Sequence, residues 1–202
     1  MFKKLFATIF FTTILLISSV SSAFAASGYE GYAIHRDGAI GGLNWHAGLM
    51  NTPKIIPYAS PVVHITNING PVVQDTWDNF ILDDTFKGVY RPNSGITSTG
   101  RDSVIGMGRV LTTEGLGYTP LCQIDYYMNG TWVESSELTS IRCDGVVEYC
   151  YEWYGYRIFG SDSYWDITRS GILYWNAHSG TAVTPQSQAQ NYMTLVTSSI
   201  PY

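Results

Sequence analysis

The stretch "SIRCDGVVEYCYEWYG", residues 140–155, constrains this chain more than any other. Cys143, Val147, Cys150 and Tyr154 recur at i, i+4, i+7 and i+11, a single face of an α-helix of roughly three turns. Thr139 and Ser140 are available to cap its front, and Gly155 can close its back. The spacing places Cys143 in the first turn on the inward face. There, unpaired N–H groups and the positive end of the helix dipole favour a thiolate. The same N–H groups can hold an oxyanion during acyl transfer. Arg142 adds a positive charge beside the thiol, and Asp144 a negative one that opposes it.

A nucleophilic cysteine needs a base, and the chain has four histidines: His35, His46, His64 and His178. His46 lies in "NWHAGL", followed by two small residues that let another backbone or a substrate come close. His64 lies in "VVHITNI", which with an "NG" turn and "PVVQDTW" reads as a hairpin. If the strands carrying them pair, His64 can orient His46, giving a Cys143–His46–His64 set. His35 and His178 lack such a context and read as ordinary residues. Other readings of the same residues stay open. Cys143 can be a small buried hydrophobe, and His64 can serve a structural hydrogen-bond network. Cysteine and histidine are also zinc ligands, but no CxxC or HxxxH spacing supports a metal site, and no cofactor is expected.

The remaining segments predict an α+β plan with antiparallel strands in front and the cysteine helix packed on them. "GYEGYAIH", "LNWHAGLM", "FKGVYR" and "GILYWN" read as strands. Residues 97–115 read as a glycine-containing helix closed by Gly115, and the tail as a short helix from Pro185 followed by irregular chain. Asn129-Gly130-Thr131 matches a glycosylation pattern but reads as a plain turn.

The first 25 residues carry Lys3 and Lys4, an apolar run and the small-residue end Ala23-Phe24-Ala25, the pattern of a secretory signal peptide. Residues 26–202 then form one domain, secreted or cell-wall associated, with no integral membrane segment after cleavage. That part holds nine basic and sixteen acidic residues, a net charge of −7, with no electrostatic footprint for nucleic acid. Three cysteines are an odd number for an oxidising compartment. Cys143 and Cys150 stand two turns apart on one helix, so any disulfide uses Cys122.

The order of these pieces resembles the circularly permuted papain-like family, relatives of NlpC-type cell-wall amidases and of the lecithin:retinol acyltransferase group. "NWHAGL" comes first, then "VVHITNINGPVVQDTWDNF", a glycine-containing helix, "LGYTP", and last "RCDGVVEYCYEWYG". The resemblance runs from about Tyr32 to Trp175. It implies an antiparallel sheet or small barrel carrying the cysteine helix. It also implies Cys143 as nucleophile, His46 as general base, His64 as the third polar member, and Tyr118 as a residue that helps hold the oxyanion. The implied activity is that of a cysteine amidase or peptidase working through an acyl-enzyme on peptide or cell-wall substrates. The runners-up are a lipid acyl hydrolase or acyltransferase of the same fold, and a binding module that has lost activity. Asp144 stands where relatives usually carry serine.

Overall fold

The computed structural model describes residues 25–38, 45–65, 70–120, 122–126, 133–158 and 184–202. The fold is α+β. Strands β1 (Ala33–Asp37), β2 (Trp45–Met50), β3 (Val62–Ile65), β4 (Val72–Asp75), β5 (Phe86–Pro92) and β9 (Met193–Thr197) form an antiparallel sheet in the order β4-β3-β2-β1-β5-β9. A second sheet, ordered β6-β8-β7, joins β6 (Gly117–Tyr118), β8 (Leu138–Ile141) and β7 (Ile124–Tyr126). The helices are α1 (Trp77–Ile81), α2 (Ser98–Leu111), α3 (Cys143–Glu152) and the single turn α4 (Pro185–Ser187).

The central strands are covered on both faces, which explains their continuous apolar character. All four residues of "VVHI" in β3 are buried, as are five of the six in β2. Alternate residues sort into two cores. Ala33, Ala47, Leu49, Val63 and Ile65 join α2 and α3 on one face. Ile34, Met50 and Val62 join Trp77 and Phe80 of α1 on the other. The β3–β4 hairpin pairs Val62 with Asp75 and Ile65 with Val72, in line with the sequence reading.

Several local expectations shift for identifiable reasons. Residues 28–31 form a turn, and the first strand starts at Ala33 instead of at Gly28. Gly31 has φ 74° and lies so close to the Arg101 backbone that a Cβ would be 2.4 Å from its carbonyl oxygen. Strand β4 stops at Asp75 because the Thr76 hydroxyl accepts from Asn79 N and caps α1, a helix that the alternation of "PVVQDTW" hides. Helix α2 begins at its Thr97 cap and ends at Leu111, ahead of Gly115. The tail is not irregular: after α4, a π-helical turn (Gln188–Tyr192) leads into β9, which pairs with β5. The expected strand "GILYWN", His178 and the Asn129-Gly130-Thr131 motif lie outside the described residues.

Helix α3 departs most from its sequence reading. All ten of its residues are buried, with no solvent face. It packs on β2 and β3 and against α2, while β7 and β8 close its front. Tyr154 lies beyond the helix and is 41% exposed, so it is not part of the inward face. All three cysteines are free and buried.

The approach of β7 to the first turn of α3 is very close. A Cβ on Gly145 would lie 1.9 Å from the Gln123 carbonyl oxygen, a backbone atom that also accepts from Arg142 N at 2.8 Å. Gly145→Ala should therefore lower the unfolding free energy by about 1–3 kcal/mol or more, measured by denaturant titration. Gly106→Ala, on α2 with nothing within 4 Å of an added Cβ, should not destabilise the protein.

Candidate active site

Strands β2 and β3 bring His46 and His64 together on the α1 face of the main sheet, while Cys143, at the start of α3, and Tyr118, on β6, lie with the core of the opposite face. Cys143 is the first residue of α3 and is 2% exposed. Thr139 and Ser140 do not cap this helix, because both belong to β8 and β8 runs to Ile141. Arg142 occupies the N-cap position and supplies no side-chain cap. The first-turn amides thus keep no side-chain oxygen, as an oxyanion site requires.

Opposing influences act on the Cys143 thiol. Burial is the strongest, followed by the Asp144 carboxylate, and together they push it up to about 12. The backbone amides of Ala47 and Asp144 and the Arg142 guanidinium favour the thiolate and pull the other way. The thiol is consequently protonated at neutral pH and needs a base to become a nucleophile.

The Asp144 charge is held in a buried ion pair. Arg142 Nε donates to Asp144 Oδ1 at 2.6 Å and Arg142 Nη2 to Asp144 Oδ2 at 2.9 Å, a bidentate arrangement with both side chains at most 1% exposed. Burial works against the Arg142 charge, and Asp144 more than offsets it, so the guanidinium stands above its ordinary pKa. Asp144 is therefore the partner that allows Arg142 to be buried beside Cys143. Tyr118 pairs with Ile141 at the edge of the second sheet. Burial first, and Cys143 next, push its phenol up to about 12, leaving a neutral O–H donor.

His46 and His64 are joined directly: His46 Nε2 lies 2.9 Å from His64 Nδ1. Gly48 permits this, since a Cβ there would come within 3.2 Å of the His64 Cβ and 3.0 Å of the Val63 carbonyl oxygen. His64 Nε2 in turn faces Asp75 Oδ2 at 3.5 Å, an electrostatic contact long for a hydrogen bond. The other Asp75 oxygen is fixed by Thr76 N and Asn79 Nδ2, each at 2.7 Å. With Asp75 ionised, the consistent tautomers are His64 protonated on Nε2 and His46 protonated on Nε2. His46 Nδ1 then carries a free lone pair; it has no protein partner and is not sealed from solvent.

Both imidazoles are neutral bases. Burial, then His64 and Arg36, hold His46 well below its usual value. Burial lowers His64 to about 4 despite the opposing pull of Asp75. Phe80 closes the far side, its ring centroid 5.5 Å from His46 and 5.4 Å from His64.

The structure thus joins His46 to His64, and sets Cys143 against the backbone amide of Ala47, the residue after His46. The β2–β3 ladder has two residue pairs, Leu49–Val63 and Met50–Val62, and stops short of Ala47. No hydrogen bond joins the Cys143 sulfur to His46 or His64. The His46 ring turns toward Phe80, while Ala47 faces α3. Among the described residues no group of three His, Cys, Asp or Glu side chains is arranged to hold a metal ion.

Sequence reasoning missed Asp75, whose place follows from the hairpin register. It also set aside His35, which is fully buried between Trp45 and Tyr90 and faces Gln188. Gln188 donates to the Asp144 carbonyl at 2.9 Å and so ties the C-terminal segment to the first turn of α3.

Comparison with protein-family models, with curated proteins and with solved structures finds no match.

The buried histidines make stability depend on pH in a defined direction. Burial lowers His35 to about 3 and His64 to about 4 from 6.5, so between those values and 6.5 the unfolded chain binds more protons. Stability should be complete above about pH 6.5 and fall with acidification toward pH 4, by about 1.4 kcal/mol per pH unit for each such histidine. Denaturant titrations at stepped pH should show this slope, and His35→Phe should reduce it.

Proposed function

We propose that this protein is an exported cysteine hydrolase, an amidase or peptidase acting through an acyl-enzyme, in a permuted papain-like arrangement. The observation that supports it best is the Asp75–His64–His46 chain, ending in an unpaired Nδ1 one residue from the amide that touches the Cys143 sulfur.

In this reading the neutral thiol and the neutral imidazole react as a pair. Cys143 attacks the substrate carbonyl carbon while its proton reaches His46 Nδ1 through a bridging water, because the two side chains lie on opposite faces of β2 and share no hydrogen bond. His64 and Asp75 stabilise the imidazolium, and the α3 first-turn amides with the Tyr118 hydroxyl bind the oxyanion. Collapse of the tetrahedral adduct breaks the C–N bond, and His46 returns its proton to the leaving amine. Water then attacks the thioester, giving one proton to His46. The acyl group leaves as the acid, and the thiolate recovers the proton. The apparent signal peptide makes cell-wall peptides the first substrate class to test.

The buried, high-pKa thiol with no bonded base also favours a second reading, a binding module of the same fold without turnover. Turnover of cell-wall peptide fragments and of a lipid ester separates the readings. Wild type should cleave the peptides, Cys143→Ala and His46→Ala should lose at least about 1,000-fold in kcat, and Asp75→Asn about tenfold or more. Cleavage of the ester alone would identify a lipid acyl hydrolase. Absence of turnover on both, with the protein folded, would leave the binding module.

A further inference from the structure

We propose that Arg36 is a carboxylate-binding residue of the candidate site, holding an anionic group of the substrate beside His46. This rests on the acyl-transfer reading and specifies its substrate class: a peptide with a free carboxylate next to the scissile amide.

Arg36 lies on β1 directly opposite His46, so the two side chains share one face of the sheet. It is 6% exposed and its guanidinium is fixed from one side only. Nε donates to the Phe80 carbonyl at 2.5 Å, and Nη1 to the Asp37 carbonyl at 2.7 Å and to the Asp84 carboxylate. Nη2 has no protein acceptor and is not sealed from solvent. The Nη2 N–H groups are thus left to solvent or to a ligand.

Asp84 balances the single Arg36 charge and Lys87 balances Asp37 at 2.6 Å, so an entering carboxylate is held by the open Nη2 N–H groups and shares the guanidinium with Asp84. His46 and His64 are neutral. The Arg36 charge acts on His46 and His64, and Arg36 in turn feels Cys143, which places it within electrostatic reach of these three groups. Guanidinium N–H groups presented in a water-poor site suit a carboxylate.

The experiment compares alkylation of Cys143 by iodoacetate, which carries a carboxylate, with alkylation by neutral iodoacetamide. Relative to wild type, Arg36→Gln should lower the iodoacetate-to-iodoacetamide rate ratio about tenfold or more. Arg36→Lys should lower it less, and Asp84→Asn should raise it. An unchanged ratio in Arg36→Gln, or a lowered one in Asp84→Asn, overturns the proposal. Arg36→Gln removes a buried partner of Asp84, so Asp84→Asn provides the second, opposite-sign test if the first variant does not fold. A folded protein whose Cys143 reacts with neither reagent overturns the hydrolase reading instead. The carboxylate site is then read from the His46 ring resonances during titration with N-acetylalanine and N-acetylalaninamide. Selective response to the carboxylate, lost in Arg36→Gln, supports the site; equal response to both probes overturns it.

Discussion

The rest of the structure depends on a helix with no exposed face. Helix α3 carries Asp144, Glu148 and Glu152 into the interior together with Cys143 and Cys150. Burying such groups is costly without partners, and those of Asp144 and Glu148 come from three separate parts of the chain. Arg142 clasps Asp144, Gln123 on the approach to β7 donates to Glu148, and Gln188 in the C-terminal segment donates to the Asp144 carbonyl. Tyr149 and Tyr151 extend the network to the Val133 and Gly31 carbonyls, each at 2.7 Å. The helix therefore acts as the hub that ties the second sheet, the N-terminal turn and the tail to the main sheet.

That arrangement decides what the cysteine can be. A first-turn thiol at a solvent-exposed helix start is lowered by the dipole, whereas here burial dominates and the thiol stays protonated. The acyl-transfer proposal for Cys143 therefore draws on a neutral base instead of a preformed thiolate–imidazolium pair. The same burial that raises the thiol lowers the two histidines, so thiol and imidazole shift apart in pKa but keep the protonation states that general-base attack needs. Arg36 and Asp75 flank the histidines with opposite charges, and the strand register alone sets both positions.

Much of the plan was legible in local patterns: the β3–β4 hairpin, a helix within 97–115, the helix beginning at Cys143, and the proximity of His46 and His64. Each follows from spacing or turn chemistry within a few tens of residues. The parts that were not legible have a common cause. α1 was hidden because Thr76 caps a helix that begins immediately after an alternating strand. β9 was hidden because an edge strand made of "MTLVT" gains its identity from β5, more than a hundred residues earlier. Thr139 and Ser140 looked like caps until β8 claimed them, and Asp144, which still raises the Cys143 thiol, proved to be the partner that lets Arg142 be buried.

By itself, the sequence determined the class of elements, the position of a cysteine at a helix start and the two strand histidines that can sit together, since periodicity and turn residues act locally. Only the tertiary structure decided which charges would be buried and with whom. It set Ala47 rather than His46 against the sulfur, brought Asp75 to His64, and left Arg36 with an open Nη2 beside His46. Those outcomes depend on strand register and on desolvation, which arise only when segments distant in the chain pack against each other.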